Sequence, residues 1–350
     1  MQGEHHDDDH GNKAVNEYLF SLHGTPVRYA TASPVLASPV TRLLNHFQRA
    51  SLEASSPLRV CFQAVQERAD IPMMISSSAR RLFSGTGVAV GDRRQTMWRC
   101  EVVQEGRRLI ADFYDQGLFV IDEDHGTAQG YLIEPEAMHP DTIEWFFHIT
   151  LTELLRRRGL YTIHATALEK DGRGILIPGN SGHGKTTAFM SLLRSGYRYL
   201  SDDHPLFRDS GTHVEMLPFP SKIDVTENTI SYFPELRNAP DGVLCPSLRK
   251  RFFYAEDLYQ TSVGDCCEPA MILFPHVIDA PHSYLEPLSR SRALEALLPQ
   301  SLVVYDPEVA RREFQTLVKL VQQVDCYRLH FGQDILELPR LVTPLLKKRR

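Results

Sequence analysis

Lys185 and Thr186 close the run Gly179-Asn180-Ser181-Gly182-His183-Gly184-Lys185-Thr186-Thr187, which fills a G-x-x-x-x-G-K-[ST] pattern. Each residue type has a physical task there. Glycines let successive backbone N–H groups turn into one concavity, which a side chain would block. A helix beginning near Thr186 adds its unpaired N–H groups and the positive end of its dipole. Lys185 supplies a point charge for the outer phosphates, and Thr186 a hydroxyl for Mg²⁺. The residues from Gly179 to Thr187 are therefore expected to hold the polyphosphate of a nucleoside triphosphate, ATP with Mg²⁺.

Acting on a phosphoryl group held there takes further residues. Tyr197–Asp203 has the look of a strand ending in two carboxylates, at the sheet edge where α/β proteins bind ligands. Neighbours on a strand face opposite ways, so one of Asp202 and Asp203 is expected to meet Mg²⁺ or the nucleophile and the other a neighbouring strand. His164 lies in the apolar run Leu160–Leu168, and a lone histidine in such a strand is more often a hydrogen-bonded core residue than a functional one. Phosphoryl transfer also needs cations beyond the loop lysine. Lys222, Lys250 and Arg251 are candidates, although a basic run is usually a solvated face.

The elements that must position these groups can be read from periodicity. Leu160–Leu168 and Gly174–Pro178 are apolar runs joined by Lys170-Asp171-Gly172, so a hairpin should set the strand bearing His164 beside the strand feeding the loop. Ala188–Leu193 has helical spacing. Before this region, Thr142–Arg158 reads as an amphipathic helix whose end is marked by Arg156, Arg157, Arg158 and Gly159. The three arginines read first as helix-end charges and second as a phosphate or partner patch.

Residues 14–159 read as a smaller α+β domain with an antiparallel sheet. Strands are expected over Tyr18–Ala30, Leu58–Val65, Met97–Gln104, Arg107–Tyr114, Leu118–Asp122 and Gly130–Ile133, with a helix over Ser38–Ala54 and a tight turn at Glu105-Gly106. Residues 160–346 read as an α/β domain carrying the loop. Helices are expected at Ser289–Leu298, Pro307–Gln323 and Asp334–Leu346, and strands at Met271–Pro275 and Tyr327–Phe331. Residues 1–13, rich in His and Asp, and 347–350 read as tails.

Composition sets outer bounds. With 350 residues, 42% hydrophobic and 23% charged, the chain can build two cores. A net charge of −6 gives no general attraction to nucleic acid or an anionic membrane, and neither is expected as a partner. Six scattered cysteines without a C-x-x-C pair fit reduced thiols in a cytoplasm.

The region from Tyr161 to Asp203 resembles the catalytic domain of HPr kinase/phosphorylase, whose fold is akin to phosphoenolpyruvate carboxykinase. The shared features are a strand histidine ahead of the loop lysine (His164, Lys185), a short helix ending at glycine (Arg194-Ser195-Gly196), and the pair Asp202-Asp203. The resemblance implies that Asp202 is the base facing the substrate hydroxyl, that Asp203 contacts His164, and that Thr186 and Asp202 ligate Mg²⁺. It also implies a homo-oligomer. The chain departs from the family at Ala165, where a glycine is usual, and at Thr186, where serine is usual, and it lacks the later signature loops. It thus looks more like the diverged relatives that phosphorylate acceptors other than HPr.

The function expected is an ATP- and Mg²⁺-dependent kinase acting on a hydroxyl, first a serine of a peptide or small protein, otherwise a small metabolite. The rival is a nucleotide-binding regulatory or assembly subunit with little or no turnover.

Overall fold

The computed structural model describes residues 14–52, 56–88, 97–179, 182–238, 250–259, 263–301 and 306–347. The chain is a mixed α/β protein with several sheets. It divides by contacts into two units, Met1–Gly85 with Arg99–Glu144 and Thr86–Trp98 with Trp145–Arg350. Among the described residues no helix is long and apolar enough to cross a membrane.

The first unit is organised by one sheet. Its strands are β1 (Asn16–Leu22), β2 (Thr25–Thr31), β3 (Leu58–Val65), β4 (Arg80–Val88), β5 (Met97–Glu105), β6 (Arg108–Asp112), β7 (Gly117–Asp122) and β8 (Thr127–Ile133), in the order β1-β2-β3-β8-β7-β6-β5-β4. The expected antiparallel sheet is corrected to a mixed one, because β3 runs parallel to both β2 and β8. The reason is the crossover through helix α1 (Pro34–Leu43), which returns the chain to the sheet in the direction it left. That helix ends at Leu43 instead of continuing to Ala54, and a single 3₁₀ turn, Asn45–Phe47, follows.

Helix α2 (Pro140–Arg157) buries Phe146, Phe147, Leu151, Leu154 and Leu155, the stripe its spacing predicts. Gly159 just beyond it has φ 78°, the left-handed geometry of a helix stop. The contact boundary between the units falls inside this helix, between Glu144 and Trp145.

The second unit is built on a six-stranded sheet made of β10 (Ala165–Lys170), β11 (Arg173–Pro178), β12 (Arg198–Ser201), β17 (Glu268–Val277), β18 (Tyr284–Pro287) and β19 (Asp325–Phe331), in the order β12-β10-β11-β17-β19-β18. The β10–β11 hairpin turns at Asp171 (φ 53°) and Gly172 (φ 75°), and this pair of left-handed residues suits the strand twist. Strand β11 is buried on both faces. Ile175 and Ile177 enter one core with helices α3 (Lys185–Arg194) and α8 (Leu338–Leu346). Leu176 enters the other with α6 (Arg290–Ser301) and α7 (Pro307–Gln323). Each fully buried aliphatic side chain of this kind contributes about 1.5–3 kcal/mol, so the strand leading into the glycine-rich loop is fixed from both sides.

The expected single strand Leu160–Leu168 is two strands. Short β9 (Leu160–Thr162) pairs with β13 (Leu206–Asp209) in a three-stranded sheet that β14 (Val214–Leu217) completes, whereas β10 pairs with β11 and β12. The chain changes sheets at Ile163-His164, where the His164 N–H donates to the Gln300 carbonyl at 2.7 Å instead of joining a ladder. Strand β15 (Ile223–Thr226), paired with β16 (Lys250–Phe253), leads into the short helix α4 (Glu227–Tyr232); α5 (Ala255–Leu258) follows β16.

Candidate active site

Strand β11 delivers the chain to Gly179, and α3 takes it up again at Lys185, with Asn180 and Ser181 lying outside the described residues. Gly179, Gly182 and Gly184 have φ of 149°, 85° and 88°. Gly184 admits no other residue without strain: besides its positive φ, a Cβ there would come within 3.1 Å of Val277 and 3.3 Å of Phe331. This bend presents the first turn of α3 to a cleft of about 360 Å³. Gly182, Gly184, Lys185, Thr186, Thr187, His164, Asp202 and Asp203 all line it.

Lys185 is buried, and its Nζ donates to the Gly179 carbonyl at 2.6 Å and lies 2.7 Å from His164 Nε2. With an ammonium at Lys185, His164 Nε2 is the acceptor and its ring proton sits on Nδ1. The Thr187 hydroxyl pairs with that of Thr229 at 3.0 Å and ties α3 to α4. His183 is exposed beside Gly179 and does not line the cleft.

Strand β12 stops at Ser201, so Asp202 and Asp203 lie in a bend and the alternation of a strand no longer applies. Both line the cleft, contrary to the expected split, while the Asp203 carbonyl accepts the Ala165 N–H at 3.1 Å and holds the bend to β10. Asp202 is 3% exposed. One of its oxygens accepts the Asp224 N–H at 3.2 Å; the other, Oδ1, has no hydrogen-bond partner among the described residues. Burial, then the neighbouring charges of Asp203 and Asp224, push its carboxyl well above the usual range; the Asp224 N–H and Lys185 offset this in part.

Two further histidines stand behind His164. The His204 ring lies 6.0 Å from His164, edge to face, and 4.2 Å from His148 on α2. Burial lowers His204 to about 4; Asp203 opposes that fall, and His164 and Lys185 add to it. Burial, and next His204, hold His148 well below the ordinary imidazole range. Both rings are therefore neutral near pH 7 and add no charge behind His164.

Of the basic candidates, none of the described side chains lines the cleft. Lys222 Nζ stacks over the Phe252 ring at 4.8 Å, and Arg251 pairs with Glu227 at 2.9 Å. Lys250 opens β16, but its side chain lies outside the described residues. The structure instead adds residues that the sequence reading passed over. Asp224, Thr226, Asn228, Thr229 and Tyr232 form one wall, and Val277, Ile278, Phe331 and Gln333 another. A signal for the first wall existed in Ile223-Asp224-Val225-Thr226, which alternates apolar and polar residues as a strand with one polar face does.

The cleft's oxygen donors fit a hard cation. Asp202, Asp203 and Asp224 offer carboxylates, Thr186 a hydroxyl, and Asp202 Oδ1 is a buried acceptor lacking a donor. Among the described residues no three His, Cys, Asp or Glu side chains are already grouped to hold a metal. Mg²⁺ is such a hard cation, usually bound by one or two carboxylates together with substrate phosphates.

No family model matches the sequence, and no curated protein does. Among solved structures the chain is similar to the HPr(Ser) kinase/phosphatase from Coxiella burnetii, at 13% identity and a TM-score of 0.25, over 53% of this chain and 93% of that one. At that score the likeness carries no weight, and what the cleft can do rests on its own chemistry.

Proposed function

We propose that the protein is an ATP- and Mg²⁺-dependent kinase that transfers the γ-phosphoryl group to a hydroxyl, foremost a serine of a peptide or small protein. The observation that carries this is the meeting, in one cleft, of Lys185 at the first turn of α3 with the buried, under-bonded carboxylate of Asp202. Such a loop and helix end bind polyphosphate through N–H groups and dipole, and Lys185 neutralises the outer phosphates. In this P-loop reading, Thr186 and Asp202 would hold a Mg²⁺, which would supply charge neutralisation to the bound phosphates.

Asp202, its proton affinity raised by burial and by two like charges, is the group to accept the acceptor's hydroxyl proton. His164, hydrogen-bonded to Lys185, orients the ammonium towards the transferred group. Asp203 and Asp224 keep the corner negative, which favours both a divalent cation and a proton on Asp202. Holding Mg²⁺ alone would be served by an ordinary carboxylate, whereas the raised proton affinity of Asp202 suits a base, which favours the kinase over the regulatory subunit.

Incubation with γ-labelled ATP and a lysate tests this reading. Label on a protein, peptide or small molecule, absent with Lys185→Ala, is the expected result. ATP binding with neither transfer nor hydrolysis would replace the kinase by the regulatory subunit.

A further inference from the structure

We propose that a second, open groove of the same unit docks an extended acidic peptide segment of a partner protein. The groove measures about 890 Å³ and runs between the end of α2, the β13–β14 turn and α7. Four cations line it. Arg157 is neutralised by Glu153 and by Asp306 at 3.3 Å, and Lys319 by Asp209 at 2.5 Å. Arg158 and Arg312, both exposed, form no ion pair with any described residue. Their charge is local, since the whole chain carries −6. The arginines counted at first as helix-end charges therefore separate: Arg156 and Arg157 are spent inside the protein, and Arg158 faces outward.

The groove's chemistry selects the occupant. Arginine forks match carboxylates in paired hydrogen bonds. Phe314, 39% exposed on α7, lines the groove with the charges and gives an apolar contact that a free phosphate cannot use. A groove of this size and openness suits several residues of extended chain. A nucleic acid would also meet the arginines, but the chain's net charge of −6 repels a long polyanion that reaches beyond the groove. Tyr161 lines the groove and His164, three residues on, lines the cleft, a span of about 10 Å of chain. On the kinase reading a segment docked here is held on the unit that carries the cleft, and that extension alone rests on that reading.

The test is fluorescence anisotropy on the full chain with a fluorescein-labelled ten-residue peptide of alternating Glu and Leu, without nucleotide. Saturable binding is expected at about 50 mM salt and should weaken as salt rises. The matched Gln-Leu peptide should not bind. Arg158→Glu with Arg312→Glu should weaken binding at least tenfold, and Phe314→Ala about threefold with the salt dependence kept. All three side chains are exposed, so melting temperatures equal to wild type confirm that the variants fold. Failure of the Glu-Leu peptide to bind, equal binding by the charge-reversed protein, or tighter binding of a single-stranded oligonucleotide of equal charge overturns the proposal. Because no ATP is present, such a failure leaves the kinase reading intact, and absence of phosphoryl transfer leaves the docking groove intact.

Discussion

Two sites in the second unit bury charge, and they do so in opposite ways. Between α2 and α7, Arg156 donates to Glu313 at 2.8 Å and lies 3.4 Å from Glu153, while Arg157 pairs with Glu153 and Asp306. Glu153, Arg156 and Glu313 are all buried, and each charge meets its opposite. In the cleft, Asp202 meets two like charges, one backbone N–H and Lys185, and keeps an oxygen without a partner. Matched burial locks two helices together. Mismatched burial costs stability and leaves a group poised for a cation or a proton, and proteins tolerate that where it is used.

The largest effect expected is at the cleft's cation. Lys185→Ala should lower phosphoryl transfer or ATP turnover by at least about 10²–10³-fold, since it removes the charge aimed at the outer phosphates. Unchanged ATP affinity and turnover would remove the functional side of the contrast. On the matched side, Arg156→Ala leaves Glu313 buried without its main partner, while Glu153 keeps Arg157, and should cost about 3–5 kcal/mol in chemical denaturation. ATP affinity in that variant should stay as in wild type.

Asp202→Asn tests both halves at once. Transfer should fall about 10²-fold with loss of the base, while the melting temperature rises, because an amide does not suffer the repulsion of Asp203 and Asp224. A lower melting temperature would mean that the carboxylate is structural and the contrast false.

The smallest effect concerns Glu313, which burial, partly opposed by Arg156, pushes up to about 7. An acid whose folded pKa lies above its unfolded value favours the folded state when protonated. Its contribution is therefore full below the unfolded value, 4.5, and is lost as pH rises towards 7. Glu313→Gln should flatten the fall in melting temperature between pH 4.5 and 7 and change little outside that window.

Much of the local structure was legible because it is encoded locally. Helix α7 and strand β3 have the bounds their periodicity predicts, and the helix stop at Gly159 and the hairpin at Asp171-Gly172 follow from residues that tolerate positive φ. The mixed pairing in the first unit was not legible, since parallel partners such as β3 and β8 are about 70 residues apart and leave no turn signal. Strand β4 and the β13–β14 hairpin were passed over for want of strong alternation.

By itself the sequence determined where the glycine-rich turn, the helix start and Lys185 come together, because backbone freedom, helix start and lysine all fall within nine consecutive residues. It also marked Asp202 and Asp203 as titratable groups at a strand end and His164 as one within a strand. Only the tertiary structure decided their environments. His164 meets Lys185 because the chain changes sheets at Ile163-His164, and Asp202 is held between a backbone N–H and a like charge because Asp224 arrives from β15, 22 residues further along the chain. Burial and charge proximity are properties of the folded surroundings, and they set how a carboxylate or an imidazole behaves.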